Sequence, residues 1–293
     1  MHSNCYYPRF PSIVMTIVNQ HHAYGIDFQC IEGSIDFPQR RLSYWCDKQN
    51  LYLHIPHVAK YFVDAAANLV TIEVDPLLTC REIINTWLYG TILAYLLQFQ
   101  DYLVLHGSAV LINHKAVIFS GHSGIGKSTT AFAMAEHNYH ILTDDLVVIR
   151  QNQTGQLELI PSTNHLKLWQ DVLTHFDKNT DQLKPVLNKP GKYVIPFSSV
   201  ISEPVPIASI YELNSCEQTK SISCIPVYHI EASKLLIRNT YRYEMLRPLN
   251  KLTKHFFQIT QLLKDIKLFY ITRPTNLFQL DDLIKVIERS EGR

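Results

Sequence analysis

Little in this 293-residue chain is in excess. Lys and Arg number 27 against 26 Asp and Glu, well mixed along the sequence. The basic stripe of a nucleic-acid binder is therefore missing, and no nucleic-acid partner is expected. The six cysteines, Cys5, Cys30, Cys46, Cys80, Cys216 and Cys224, are scattered with no Cys-x-x-Cys pair. They read as free thiols of a reducing, cytoplasmic setting rather than as a disulfide framework. The N-terminal MHSNCYYPRF has no charged region followed by an apolar run, which predicts no secretory signal. Internal repeats and low-complexity tracts are also lacking. Long apolar runs are scarce; IINTWLYGTILAYLLQFQ, residues 83–100, carries no charge but is barely long enough to span a bilayer. It includes Asn85, Thr86, Gly90, Gln98 and Gln100, so a helix buried in a globular domain is expected, and no membrane partner.

What is present is a folded composition, 46% hydrophobic and 18% charged. The first hundred residues carry short aromatic and β-branched segments, GIDFQC, LSYWCD, NLYLHI and LVTIEV, separated by polar turns. They predict a small β-rich module over 1–100 that ends in the charge-free helix. Beyond it the pattern changes. YLVLHGSAVLI and AVIFS read as strands, Lys127 to Glu136 as a helix, and Ile141 to Thr143 as a buried strand ending in Asp144-Asp145. LVVIR, QNQTGQ and LELIP read as a hairpin. Leu166 to Phe176 reads as a helix and residues 177–191 as a polar loop. PVPIASIYEL and KLFYITR are strand-like, and LDDLIKVIERSEGR closes the chain as a helix. This order predicts a mixed α/β domain over 101–293.

Between AVIFS and the helix lies Gly121-His-Ser-Gly-Ile-Gly-Lys-Ser128, the spacing of a phosphate-binding loop. Gly121, Ser123, Gly124, Ile125 and Gly126 would turn backbone N–H groups toward phosphate oxygens, helped by the helix N-terminus. Lys127 would reach the β- and γ-phosphates, Ser128 would ligate Mg²⁺, and Thr129 would donate to the α-phosphate. By chance such a pattern arises on the order of once per hundred chains of this length, and its place between strand and helix makes accident rarer still. Two classes of nucleotide user lack their marks. There is no LSGGQ-like segment for a transport ATPase. For a guanine reader, Asn188-Lys189-Pro190-Gly191 fails the Asn-Lys-x-Asp pattern.

Asp144-Asp145 sits at a strand end past the loop. A carboxylate there can hold Mg²⁺ or accept the proton of an incoming hydroxyl, and two in tandem point to opposite sides of a continuing strand. A simple turn or helix cap is the bland alternative. Phosphoryl transfer also needs positive charge beyond one lysine; Lys167, Lys192, Arg238 and Arg242 are the candidates, each more ordinarily a solvated charge. The histidine pairs His54/His57 and His137/His140 have no further ligand at structural-zinc spacing, so zinc is not expected.

Taken together, His106-Gly107, the loop from Gly121 to Ser128, and Asp144-Asp145 resemble, in order and spacing, the HPr kinase/phosphorylase family and its related P-loop kinases. The resemblance covers residues 100–150 well and the rest loosely. It implies an α/β fold of the HPr kinase and PEP-carboxykinase type, a mixed sheet with flanking helices, preceded here by the β-rich module. It implies ATP and Mg²⁺ as cofactors. By the same resemblance Asp144 is the catalytic acid/base, Lys127 and Ser128 contact phosphate and Mg²⁺, His106 lies near the transferring phosphate, and Asp145 supports the metal shell. The chain departs from the bacterial HPr kinases in having Thr129 where glutamate is usual. Leu166-Lys167-Leu168-Trp169 stands where they carry Leu-Glu-Ile-Arg-Gly, with lysine in place of the glutamate. The pattern is closer to the HPr-kinase-related proteins of peptide-modification systems, such as kinases of lasso-peptide precursors. The expected function is thus a kinase acting on a Ser or Thr hydroxyl of a protein or peptide. A small-molecule kinase and a nucleotide-binding regulatory protein stand as alternatives, and a homo-oligomer is left open.

Overall fold

In a computed structural model the described residues are 16–36, 43–162, 165–186, 189–197, 201–275 and 279–293. The N-terminal MHSNCYYPRF with Cys5, and Asn188 of the rejected guanine-reader match, lie outside them. The chain divides into two compact units, one of Met1–Gln100 with Glu244–Leu252, the other of Asp101–Tyr243 with Thr253–Arg293.

The first unit is built on β1 (Thr16–Ala23), β2 (Ile26–Glu32), β3 (Tyr44–Cys46), β4 (Asn50–Ile55), β5 (Ala59–Asp64) and β6 (Leu69–Val74). They form one sheet in the order β1-β2-β6-β5-β4-β3, antiparallel except for the parallel β2–β6 pair. Alternation places Ala59, Tyr61 and Val63 of β5 inside, with Lys60, Phe62 and Asp64 only half-buried. The charge-free run forms α1 (Glu82–Trp87), a π-helical turn over Leu88–Ile92, and α2 (Leu93–Phe99). Residues 92–97 are almost wholly buried, and Tyr95 Oη donates to the Asp47 carbonyl at 3.3 Å. This segment is the buried helix expected from its length. No helix among the described residues is long and apolar enough to cross a membrane.

The second unit begins with β7 (Leu103–Ile112), β8 (Lys115–Ser120), α3 (Lys127–Glu136), β9 (His140–Gln151) and β10 (Leu157–Leu159). It continues with β11 (His165–Trp169), α4 (Gln170–His175), β12 (Lys184–Pro185), β13 (Lys192–Pro196) and β14 (Val205–Cys216). The last elements are β15 (Ser223–Pro226), α5 (His229–Arg238), α6 (Leu252–Asp265), β16 (Lys267–Pro274) and α7 (Leu280–Ser290). The main sheet runs β10-β9-β7-β8-β14-β16-β15, and β10 also pairs with β14. It is mixed: β14 is parallel to both β8 and β16, while the hairpins β7–β8 and β9–β10 are antiparallel.

Helices cover both faces. On one side Ala131, Ala133 and Met134 of α3 share a core with Leu283, Ile284 and Ile287 of α7; on the other lie Leu235 and Leu236 of α5 with Ile259 and Leu262 of α6. The i, i+3, i+4, i+7 set Leu280, Leu283, Ile284 and Ile287 makes α7 an amphipathic lid on the sheet. The expected α/β class with a mixed sheet, flanking helices and a β-rich N-terminal region is thus what folds.

Two local readings change. Leu166 to Phe176 is a strand followed by a short helix rather than one helix. In His-Leu-Lys-Leu-Trp the alternation of period two buries Leu166 and Leu168, and β11 pairs with β13 to make a separate sheet with β12. Secondly, the strand that carries the aspartates does not end with them. β9 runs on from His140 to Gln151, with an irregularity where Ala109 faces Thr143 and Val110 faces Ile141. A bulge here, together with a left-handed Asp145 (φ 74°), re-aims the side chains without stopping the ladder.

Candidate active site

The site of the second unit collects where the C-terminal end of β8 meets the middle of β7 and β9. β8 delivers the glycine loop, with Gly121, Gly124 and Gly126 all at positive φ. Gly121 is the demanding one. A Cβ there would stand 2.8 Å from the Leu213 carbonyl of neighbouring β14, at φ 129°. Ile125 anchors the loop in the core while His122, Ser123 and Gly124 stay exposed. Lys127 lies almost buried, its Nζ donating to the carbonyls of Gly121 at 2.9 Å and His122 at 3.0 Å. Burial lowers its pKa to about 8 against the upward pull of Asp145 and Asp144.

β7 and β9 supply the rest. Ser108 and Asp144 face each other across the two strands, as do Gly107 and Asp145. Ser108 Oγ donates to Asp144 Oδ1 at 2.6 Å, and Ser128 Oγ, from the first turn of α3, donates to the same oxygen at 2.8 Å. Asp144 is only 8% exposed, and burial raises its pKa despite the two hydroxyls. Asp145 turns the other way, and its side chain is 47% exposed. Its Oδ1 lies 3.5 Å from His106 Nδ1 and its Oδ2 3.7 Å from Lys167 Nζ. Burial and the Lys127 charge lower the His106 pKa, with Asp145 opposing, so the ring is neutral near neutral pH. The glycine after His106 has a steric reason: a Cβ at Gly107 would meet the Phe119 carbonyl at 2.7 Å.

The expected residues Lys127, Ser128, Asp144, Asp145 and His106 are thus brought together. Thr129 is half-buried on the first turn of α3, beside Thr130, whose Oγ1 donates to the Gly126 carbonyl. Of the outlying cations, Lys167 reaches the site. Lys192 stacks its ammonium 5.4 Å over the Trp169 ring and carries Coulombic coupling to both aspartates. Arg238 instead pairs with buried Glu212 of β14, and Arg242 is exposed. His137 lies 3.4 Å from Asp281.

Three further side chains touch the site. Ser108 follows His106-Gly107 in a stretch that marks the resemblance, but the sequence assigns it no role of its own. Asn239 Oδ1 accepts the Gly121 N–H at 2.9 Å, and its Nδ2 donates to Glu212 Oε1 at 2.6 Å. Arg273, at the end of β16, donates through Nη2 to the Ile125 carbonyl at 3.0 Å. Both come from more than a hundred residues along the chain, where no local motif announces them.

The donor chemistry fits Mg²⁺. Ser128 Oγ and the Asp144 carboxylate are hard oxygens side by side, and Mg²⁺ commonly takes one or two protein oxygens, completing its octahedron with water and phosphate. A dedicated protein cage is unnecessary.

Residues 97–168 match the family model described as HPr Serine kinase C-terminal domain. The HPr kinase/phosphorylase of Prosthecochloris aestuarii is 39% identical over 79 residues, 27% of this chain and 21% of that protein. That of Lactobacillus delbrueckii subsp. bulgaricus is 30% identical over 100 residues, 34% of this chain and 29% of that protein. A solved HPr(Ser) kinase/phosphatase from Coxiella burnetii is similar with a TM-score of 0.35 and 13% identity, over 64% of this chain and 95% of that one. The matched stretch is the one that carries β7, the glycine loop and the paired aspartates, and its relatives are kinase/phosphorylases by name. Over residues 97–168 the chain is similar to the HPr kinase/phosphorylase family. It spans about a fifth of the length of the first curated relatives it matches.

Proposed function

We propose that this protein is an ATP- and Mg²⁺-dependent kinase that transfers the γ-phosphate to a serine or threonine hydroxyl of a protein or peptide. The observation that carries the reading is the meeting of Lys127, Ser128, Asp144, Asp145 and His106 from β7, α3 and β9. Nucleotide binding alone would need neither the exposed Asp145 nor His106 beside it.

In this reading the glycine loop and the N-terminus of α3 cradle the phosphates, and Lys127 swings from the loop carbonyls onto the β- and γ-oxygens. Ser128 and Asp144 would hold Mg²⁺, which would neutralise charge on the triphosphate. Asp145 takes the proton of the acceptor hydroxyl as its oxygen bonds to the γ-phosphorus; the bond from that phosphorus to the bridging oxygen breaks, and ADP leaves with the electron pair. His106 orients the Asp145 carboxylate and stays neutral. The two aspartates therefore exchange the roles that resemblance alone suggests. Asp144, buried and bonded by Ser128, suits a metal ligand; Asp145, exposed at the same end, suits contact with an acceptor.

The test is transfer of label from γ-labelled ATP to a Ser/Thr peptide library by wild type and by Asp145→Asn. Labelled peptide with wild type alone supports the reading. Label entering only small metabolites points to a metabolite kinase, and tight nucleotide binding with no label anywhere points to a regulatory protein.

A second expectation concerns protons. Because Lys127 titrates at about 8 in the ligand-free protein, part of the population is neutral at pH 8.5. A bound triphosphate raises that pKa again, so ATP binding should take up protons at pH 8.5. Calorimetry in buffers of different ionisation enthalpy reads this directly; equal heats in all buffers at pH 8.5 would sink it.

A further inference from the structure

The charge around Asp145 is unusual for a site that handles a polyanion and a metal. β11 buries Leu166 and Leu168, so Lys167 stands on the opposite face of the strand, and its ammonium lies 3.7 Å from Asp145 Oδ2. The partner strand β13 places Lys192 opposite Trp169, next along that face, with its ammonium over the indole. Both Asp144 and Asp145 act on Lys192, as do Lys189 and Lys167. On its other oxygen Asp145 has His106, itself under the field of Lys127 and Lys189.

Some phosphoryl-transfer enzymes, protein kinases among them, recruit a second divalent cation, because charge spreads over three equatorial oxygens as the bond to the leaving group loosens. Such an ion needs a carboxylate that can turn toward it. Asp144 is already tied to Ser128, which leaves Asp145. An ion on Asp145 Oδ2 would sit beside the Lys167 ammonium, and like charges at that separation repel. The ammonium already occupies the place of a cation, on a strand whose buried leucines fix its position.

Resting on the kinase reading above, we propose that Lys167 takes the place of a second metal ion. Its ammonium contacts the transferring phosphoryl group, Lys192 supports it, and the site works with a single Mg²⁺. The acceptor proton, the bond that forms and the bond that breaks are those already described; only the identity of the neutralising charge changes.

The test counts ions. Mn²⁺ is titrated, with paramagnetic resonance readout, into full-length protein saturated with a non-hydrolysable ATP analogue. Wild type and Lys167→Arg should bind one Mn²⁺ per nucleotide-loaded chain, and Lys167→Glu should bind two. In the transfer assay Lys167→Met should lose about 10²-fold in turnover. Lys167→Arg should recover most of that loss, with analogue affinity little changed in either variant. Thermal melting of each variant separates these effects from misfolding, and the wild-type ion count stands even if a variant fails to fold. Two ions in the wild type, or unchanged turnover in a folded Lys167→Met, would overturn the assignment alone. A wild type that binds no nucleotide would overturn the kinase reading and this assignment with it.

Discussion

Asp145→Asn is expected to lower phosphoryl transfer by roughly 10²- to 10⁴-fold, the range a positioned general base commonly supplies. MgATP affinity should stay nearly unchanged. Asp144→Asn is expected to behave in the opposite way at the binding step, removing most of the Mg²⁺ dependence of nucleotide affinity. The difference follows from the two environments. Asp145 is half-open and lies beside the His106 ring and the Lys167 ammonium, so amidation removes a proton acceptor while leaving the fold of the loop in place. Asp144 is buried and shares one oxygen with Ser108 and Ser128, so its charge is what a metal would find beside the Ser128 hydroxyl. Fluorescent-nucleotide titrations with and without Mg²⁺, set beside single-turnover transfer, separate the two. Intact Mg²⁺ dependence in Asp144→Asn, with that dependence lost in Asp145→Asn, would restore the roles first expected from resemblance.

The same geometry gives a sign for pH. Burial raises the Asp144 pKa, so in the absence of metal its protonated form persists above the usual carboxylate range. In the proposed site Mg²⁺ would displace that proton, and metal-dependent affinity should weaken as pH falls through the raised value. Ser108→Ala removes one stabilising bond to the ionised form and should move the midpoint of that loss to higher pH.

Gly121→Ala is expected to be the most damaging single change in the loop. An L-residue at φ 129° is strained by about 1–3 kcal/mol. The added methyl also approaches the Leu213 carbonyl to 2.8 Å and the Ile125 side chain to 3.1 Å. Backbone of β14, central in the sheet, cannot yield cheaply, and overpacking of this kind costs about 1–3 kcal/mol more. Denaturant midpoints should fall accordingly, and nucleotide binding should be lost in whatever folds. Gly124→Ala offers the contrast. It is also left-handed, but nothing lies within 4 Å of its added Cβ, so only the backbone strain remains. Equal losses of stability for the two variants would show that the Leu213 contact is not the cause.

Much of this site was legible because its parts are close in sequence. The loop, the helix that follows it and the paired aspartates fall within Gly121–Asp145, and strand and helix there follow clean apolar patterns. The charge-free run near residue 90 was readable for a related reason: its length admits a buried helix and little else. Legibility failed where long-range pairing decides. Leu166–Trp169 has residues that suit a helix, yet pairing with β13 makes it a strand and aims Lys167 at Asp145. The division of labour proposed for Asp144 and Asp145 rests on a bulge and a left-handed residue, neither of which composition reveals. Asn239 and Arg273 reach the loop from α5 and β16, across a distance in sequence that no motif spans.

The bond from Gly121 N–H to Asn239 Oδ1 has a consequence for how anions are received. A cradle of amides works by leaving its N–H groups unclaimed until phosphate arrives. Here the first of them is already committed inside the protein, to a side chain that Glu212 and the Leu235 carbonyl hold in one orientation. The Gly121 amide should therefore exchange slowly with solvent whether or not nucleotide is present, while the amides after it become protected only on binding. The loop thus begins at a fixed post, and the carboxylate of Glu212 holds that post through Asn239.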